Sequence, residues 1–304
     1  VLFGWDKMAD HKIQHFLARS YLKGFSAGTI HGQHQIWILD KSTKEIHLGA
    51  IDKSAAFSFY YSIELPNGSR DNSVEESFSD LEKKFVEVVE TLRKNIEATG
   101  IGRIVPTPTM EDRVTLCRYI FLHFVRIPAN VEWIRQRSEK HLERMKQMGL
   151  LDFGESNLQN YKMKAFSYIN DRVSDKAIGI LSSKNVSIEW GVRRFASVFT
   201  CDNPVFRYNP VGANGITYEE TNIFFPLYYR AYARLQGTGD QLRLEKHHDL
   251  TPIDEINQAV IYNASTEVYA NDAERLQAAA KRAGISATIK RPEGIVFDGE
   301  QAAM

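Results

Sequence analysis

The sequence predicts an α+β fold with a mainly helical N-terminal half packed on a small antiparallel sheet in the C-terminal half. Two observations carry this. Apolar residues recur at helical spacing through residues 73–148, and short apolar or alternating runs bounded by turn residues take over after residue 185. Helices and strands thus segregate along the chain.

The elements follow in order. Ile13, Phe16, Leu17, Tyr21, Leu22 and Phe25 lie mostly three or four apart, which predicts an amphipathic helix over 11–26, ending before Gly28. Gln35–Asp40, a Lys-Ser-Thr-Lys turn and Glu45–Leu48 read as a β-hairpin. Ala55–Tyr61 is apolar and aromatic, and Pro66-Asn67-Gly68-Ser69 has loop chemistry. Ser73-Val74-Glu75-Glu76 reads as a capping box opening a long helix, whose stripe is Phe78, Leu81, Phe85, Val88, Val89, Leu92 and Ile96. Further helices are expected over about 110–125, 129–148 and 158–171, with Pro128 breaking the path between the first two. Strands are expected at 186–190, 197–200, 222–227, 231–235 and 242–245. Thr251 as N-cap and Pro252 behind it open a helix expected to reach about Tyr269, and Ala273–Ala283 forms another, closed by Gly284. The organisation reads as a leader over 1–10, one α+β domain over 11–290 (helical part about 73–180, sheet part about 186–250) and a disordered tail over 291–304.

Composition bounds the function. The 304 residues carry 43% hydrophobic and 25% charged side chains, as in an ordinary globular protein. Lys plus Arg equals Asp plus Glu at 38 each, so a nucleic-acid partner gains no support from net charge. The basic stretch Arg135–Lys146 is interleaved with Glu139 and Glu143 and reads as a solvated helix face. The two cysteines, Cys117 and Cys201, form no Cys-x-x-Cys, which fits a reducing cytoplasm. No apolar run is long enough to predict a membrane span, and residues 1–10 lack the pattern of a signal peptide.

A set of motifs then stands out in a fixed order. Gln14-His15 leads into an aromatic-Leu-Lys run ending at Phe25, followed by Phe59-Tyr60, Leu81-Glu82 and Arg126-Ile127-Pro128. Thr200-Cys201-Asp202-Asn203-Pro204-Val205 and Phe225-Pro226-Leu227 complete it. The chain resembles the bacterial domain of unknown function 4238 family over roughly residues 11–270. The resemblance implies a fold and candidate positions, and brings no activity with it. Gln14 stands where the family pattern has a first histidine and Ala18 where it has proline, so a paired-histidine chemistry is not implied here.

The candidate catalytic residues are His15, Glu82, Arg126, Asp202 and Asn203. Imidazole titrates near neutrality and serves as general acid or base. The Arg126 fork suits a phosphate or carboxylate, and equally a structural bridge to Glu82 between two long helices. Asp202 and Asn203 suit a metal, a water or the orientation of His15, and equally an Asx-turn before Pro204. His11 and His15, four apart, would share a helix face, but no third ligand is legible; metal and cofactor stay unassigned. His247-His248 beside Asp249 reads as a surface cluster, and Gly212-Ala213-Asn214-Gly215 as a turn. Two functional classes follow. One is a hydrolase acting on phosphodiester or nucleic-acid substrates; the other is a non-catalytic binding or regulatory module in which these polar residues order loops. Convergence of His15, Arg126 and Asp202 on one crevice would separate them.

Overall fold

A computed structural model describes residues 13–64, 68–71, 73–99, 109–148, 172–192, 196–212, 215–292 and 297–298. The expected leader, the expected helix over 158–171 and most of the expected tail lie outside the described residues. The elements run β1 (Ile13–His15), α1 (Arg19–Lys23), β2 (Gly28–Ile30), β3 (Gln33–Asp40), β4 (Glu45–Ala50) and β5 (Ala56–Ser58). Then come β6 (Ile63–Glu64), β7 (Arg70–Asp71), α2 (Ser73–Thr99), α3 (Met110–Arg126), α4 (Pro128–Gln147) and α5 (Arg172–Ser182). The C-terminal part adds β8 (Asn185–Gly191), β9 (Thr200–Cys201), β10 (Phe206–Tyr208), β11 (Asn222–Tyr228) and β12 (Ala231–Gln236). It closes with β13 (Leu242–His247), α6 (Thr251–Asn263), β14 (Glu267–Ala270), α7 (Ala273–Arg282) and β15 (Thr288–Lys290).

The class is α+β, but the N-terminal half is not mainly helical. The described residues of 13–71 hold seven strands, one five-residue α-helix and a three-residue 3₁₀ turn, and α2, α3 and α4 follow as a central helical block. The described part of the segment expected as one helix over 11–26 divides into β1 and the short helix α1. Its apolar spacing was satisfied another way: Phe16, Leu17, Tyr21, Leu22 and Phe25 are all buried, although only α1 is helical. Gln14 holds the first piece extended. Its Oε1 accepts the Tyr61 and Ser62 amides at 2.5 and 3.2 Å, its Nε2 donates to Ser62 Oγ, and β1 pairs antiparallel with β5. A spacing of three or four marks burial, and cannot by itself tell helix from a chain that turns.

The sheet component is larger and less uniform than expected. A six-stranded sheet orders β15-β4-β3-β14-β9, with β2 on β3, so N-terminal hairpin strands sit beside strands from the far end of the chain. A five-stranded sheet orders β10-β11-β12-β8-β13 and includes a parallel pair, β8 with β13. The helix expected over 251–269 ends at Asn263, and its last residues form β14 between β3 and β9.

Local chemistry explains the helical block. Thr109 and Asp112 form a reciprocal capping box at the head of α3. Pro128 breaks the path as expected: α3 ends at Arg126, and Pro128 opens α4, where its missing N–H costs nothing. Phe78, Phe85, Val88, Val89, Leu92 and Ile96 of α2 are buried, and Phe85 stacks on Tyr119 of α3 with ring centroids 3.6 Å apart. No helix among the described residues is long and apolar enough to cross a membrane.

The five-stranded sheet has two unlike faces. Val186, Ile188, Phe225, Ala233 and Leu235 belong to the apolar cluster that includes α2 and α3. The alternate positions carry Ser187, Glu189, Phe206, Phe224, Tyr232 and Arg234, which the pairing registers place on the opposite face. A second apolar cluster, from α6, α7 and the six-stranded sheet, covers part of that face.

Candidate functional site

His15, Glu82 and Arg126, spread over three elements, share one neighbourhood. Arg126, at the last turn of α3, is fully buried, and its Nη1 donates to Glu82 Oε1 of α2 at 2.6 Å. Tyr60 donates to the Arg126 carbonyl at 2.9 Å, and Tyr61 to the His15 carbonyl at 3.2 Å, so the 60–61 corner ties β1 to the end of α3. His15 is half-buried at the end of β1, close enough to Glu82 for the carboxylate to act on its ring. Its Nε2 lies 3.2 Å from the Asp52 carbonyl, which can only accept, so Nε2 carries the proton and Nδ1 keeps its lone pair. Burial, then the Arg19 charge, lowers its pKa from the usual value, so the ring is neutral at neutral pH.

Around this pair lies a set of buried polar atoms without hydrogen-bond partners. Arg126 Nε and Nη2, Tyr119 Oη and His123 Nε2 all belong to it. Nε and Nη2 form one edge of the guanidinium, the edge that meets two oxygens of a phosphate or carboxylate. Tyr119 is held protonated by burial, its pKa well above the usual one, and so is a donor. His123 Nδ1 donates to the Tyr119 carbonyl at 3.2 Å, leaving Nε2 an acceptor. Buried polar groups rarely go unpaired, and these four lie on three side chains of one helix beside the ion pair. The side chain of Glu82 is 25% exposed and faces solvent in part. Tyr119, His123 and Arg126 are spaced four and three apart in an otherwise apolar helix; that polar triplet on one buried stripe was the signal in the sequence.

Asp202 and Asn203 stand elsewhere, at the end of β9, with the Asp202 carboxylate bonded to Ser265, Thr266 and Glu267, so the expected convergence of His15, Arg126 and Asp202 on one crevice does not occur. Asp202 is buried; its Oδ1 accepts the Ser265 amide at 2.8 Å, and its Oδ2 accepts the Thr266 amide, the Thr266 hydroxyl and the Glu267 amide at 2.6, 2.7 and 3.2 Å. Asn203 and Asn263 exchange side-chain-to-carbonyl bonds across the same turn. These contacts lock the exit of α6 into β14. Asp202→Asn is expected to lower the unfolding free energy by about 1.5–3 kcal/mol, since charge-assisted bonds to backbone amides are lost. Urea denaturation measures this, and a loss below about 0.5 kcal/mol would show that the carboxylate charge does not hold the turn.

A cleft of about 1010 Å³ opens elsewhere, between the polar face of the five-stranded sheet and α6. At its floor Glu189, 3% exposed, accepts Ser187 Oγ at 2.7 Å, Tyr232 Oη at 2.5 Å and His247 Nε2 at 2.9 Å, with Arg234 Nη1 at 3.8 Å. The Ser187/Glu189 alternation within an apolar strand was readable, but which face a helix would partly cover was not.

Among the described residues no group of three or more His, Cys, Asp or Glu side chains could hold a metal. His11 lies outside them, and His15 sits on a strand, so the helical histidine pair does not form. Both cysteines are buried, and burial pushes the Cys117 thiol up to about 11.

The protein is α+β, and two long helices and an N-terminal strand bring Glu82, Arg126 and His15 into one neighbourhood. Residues 13–274 match the family model described as Protein of unknown function (DUF4238), and the chain belongs to that family. No curated protein and no solved structure matches it.

Proposed function

We propose that the chain is a hydrolase acting on phosphodiester-type esters at Arg126 and Tyr119. One observation carries this reading: the Nε/Nη2 edge of a fully buried arginine is unspent, next to the equally unspent Tyr119 hydroxyl. Both can donate to oxygens on phosphorus and stabilise the charge that develops there. His123 Nε2 can accept a hydrogen of the attacking water. His15 Nδ1 serves as general base: it takes the water proton as the water oxygen attacks phosphorus, and the ester P–O bond breaks. The resulting imidazolium returns the proton to the leaving oxygen. Asp202 and Asn203 hold the fold on this reading and take no part in the chemistry.

The alternative is a non-catalytic module in which the 2.6 Å Glu82–Arg126 contact is a brace between α2 and α3. Turnover of bis(p-nitrophenyl) phosphate separates the two. His15→Ala and Tyr119→Phe are each expected to reduce kcat by about 10²-fold or more, with the circular dichroism spectrum retained. A wild-type protein without turnover, or a His15→Ala variant with full turnover, would leave the brace as the better account.

A further inference from the structure

We propose that the cleft between the five-stranded sheet and α6 binds a neutral oligosaccharide, with its ring faces on Tyr208 and Tyr262 and its hydroxyls at His247 and Glu255. The cleft shares no residue with the Arg126 site, so the two readings stand or fall separately.

The cleft is a groove because α6 lies across the sheet. At the helix head Ile253 lies 3.5 Å from the Cβ position of Gly191, the last residue of β8. At its tail Asn263 Nδ2 donates to the Val205 carbonyl at 3.4 Å, just before β10. Two strands, β11 and β12, separate β10 from β8. The stretch of α6 from Pro252 to Tyr262, which lines the groove, is about 15 Å long and suits a chain of rings better than one. Tyr208 on β10 and Tyr262 near the end of α6 are 60% and 67% exposed, and both line the tail end. Exposed rings are ordinary singly; two on the walls of one groove offer flat apolar surface to the C–H face of a sugar. Behind them Phe206 and Phe224 stack at 5.2 Å and 12°. Phe206 pairs with Phe224 and Tyr208 with Asn222, so these side chains share the groove face. Arg207, between them, turns to the other face and sits 4.7 Å from the Phe124 ring centroid.

The head end is polar, and its charges largely cancel. Glu189 accepts Ser187, Tyr232 and His247, and Arg234 Nη1 lies 3.8 Å from it. Arg234 is itself held, its Nε donating to Asn222 Oδ1 at 3.1 Å. A guanidinium so engaged, beside a second carboxylate at Glu255, does not favour an anion, and its own charge in the floor does not favour a cation. What remains is hydrogen-bonding capacity for a neutral ligand. His247 donates through Nε2 to Glu189 at 2.9 Å, which fixes the ring and leaves Nδ1 an acceptor for a hydroxyl. Glu255, exposed on α6, brings two more acceptor oxygens to the groove. A sugar chain carries hydroxyls along its edges and C–H groups on its faces, so one ligand meets both ends. Apolar walls with a few fixed polar groups are the usual build of a small-molecule site.

Isothermal titration of the full chain with cellohexaose, and with its N-acetylated amino-sugar counterpart, tests the proposal. Both probes are flat, neutral chains. At least one is expected to bind, with an affinity that holds as salt is raised from about 50 to 500 mM, since no charge is matched. Tyr262→Ala and Glu255→Ala remove exposed side chains and should leave the fold intact. The first is expected to weaken binding about ten-fold, as loss of an apolar platform does. The second is expected to weaken it about five-fold, through lost hydrogen bonds to hydroxyls. Tighter binding of the acetylated chain supports an amino-sugar polymer as the natural source, and tighter binding of the plain chain supports a glucan. No binding of either chain at millimolar concentration, binding unchanged by both substitutions, or an affinity that falls steeply with salt would each overturn the assignment.

Discussion

Replacing Glu82 with alanine is expected to lower the unfolding free energy by about 3–5 kcal/mol, the usual cost of removing one partner of a buried ion pair. The argument rests on what Arg126 cannot do. Its guanidinium does not give up its proton, and its side chain has no exposure through which to hydrate. Among the described residues Glu82 is the carboxylate within ion-pair distance, and Nε and Nη2 have no hydrogen bonds to fall back on. The nearby rings help little: Phe78 lies 5.7 Å from the guanidinium carbon, at the edge of cation–π range. Glu82→Gln keeps an acceptor for Nη1 but not the charge, and should fall between wild type and alanine. Arg126→Met in the Glu82→Ala background should recover much of the loss, because the penalty is the stranded charge rather than the missing contact. Urea denaturation of wild type, Glu82→Ala, Arg126→Met and the double variant closes the cycle. A loss under about 1 kcal/mol for Glu82→Ala would mean that the Arg126 charge is met without Glu82.

The legible parts of the fold were those whose information is local. The stripe from Phe78 to Ile96 lies within its own helix, and the helices expected over 73–100 and about 110–125 appear where the pattern puts them. The Glu82–Arg126 bridge was also within reach, since two long helices with one buried opposite charge each invite pairing. The N-terminal segment failed for the opposite reason. Gln14 decides its conformation by holding the backbone amides of Tyr61 and Ser62, and nothing within residues 11–26 announces that partner. The end of α6 is the same case. Its apolar run continues past Asn263, but Asp202 takes the amides of Ser265, Thr266 and Glu267 and turns the chain into β14. A carboxylate some sixty residues away overrides local propensity there. The cleft at Glu189 shows a further limit. Alternation identified the strands but not that α6 would lie across their polar side, which makes a buried site of an otherwise solvated face.

Acid should destabilise the protein through His123, and the sign follows from its surroundings. The ring is fully buried among Tyr119, Tyr21 and Phe225, with centroids 4.4, 5.3 and 5.4 Å away. Burial first, and the Arg126 charge second, hold its pKa well below the usual value of 6.5. The folded pKa is depressed, so in the unfolded chain this histidine takes up its proton at a higher pH than in the native state. Its stabilising contribution is therefore complete above about pH 6.5 and is lost as pH falls below it toward the folded pKa. Across that window each such histidine can contribute a slope of up to about 1.4 kcal/mol per pH unit. His15 and His34 are also shifted down and act with the same sign, so the wild-type slope is a sum. A substitution isolates the buried ring. His123→Phe keeps an aromatic in the nest, gives up the bond to the Tyr119 carbonyl, and cannot titrate. Its midpoint in urea should sit below wild type at pH 7.5, and the two should approach each other as the pH is lowered to 5. Parallel curves over that range would mean that His123 protonates in the native state without cost.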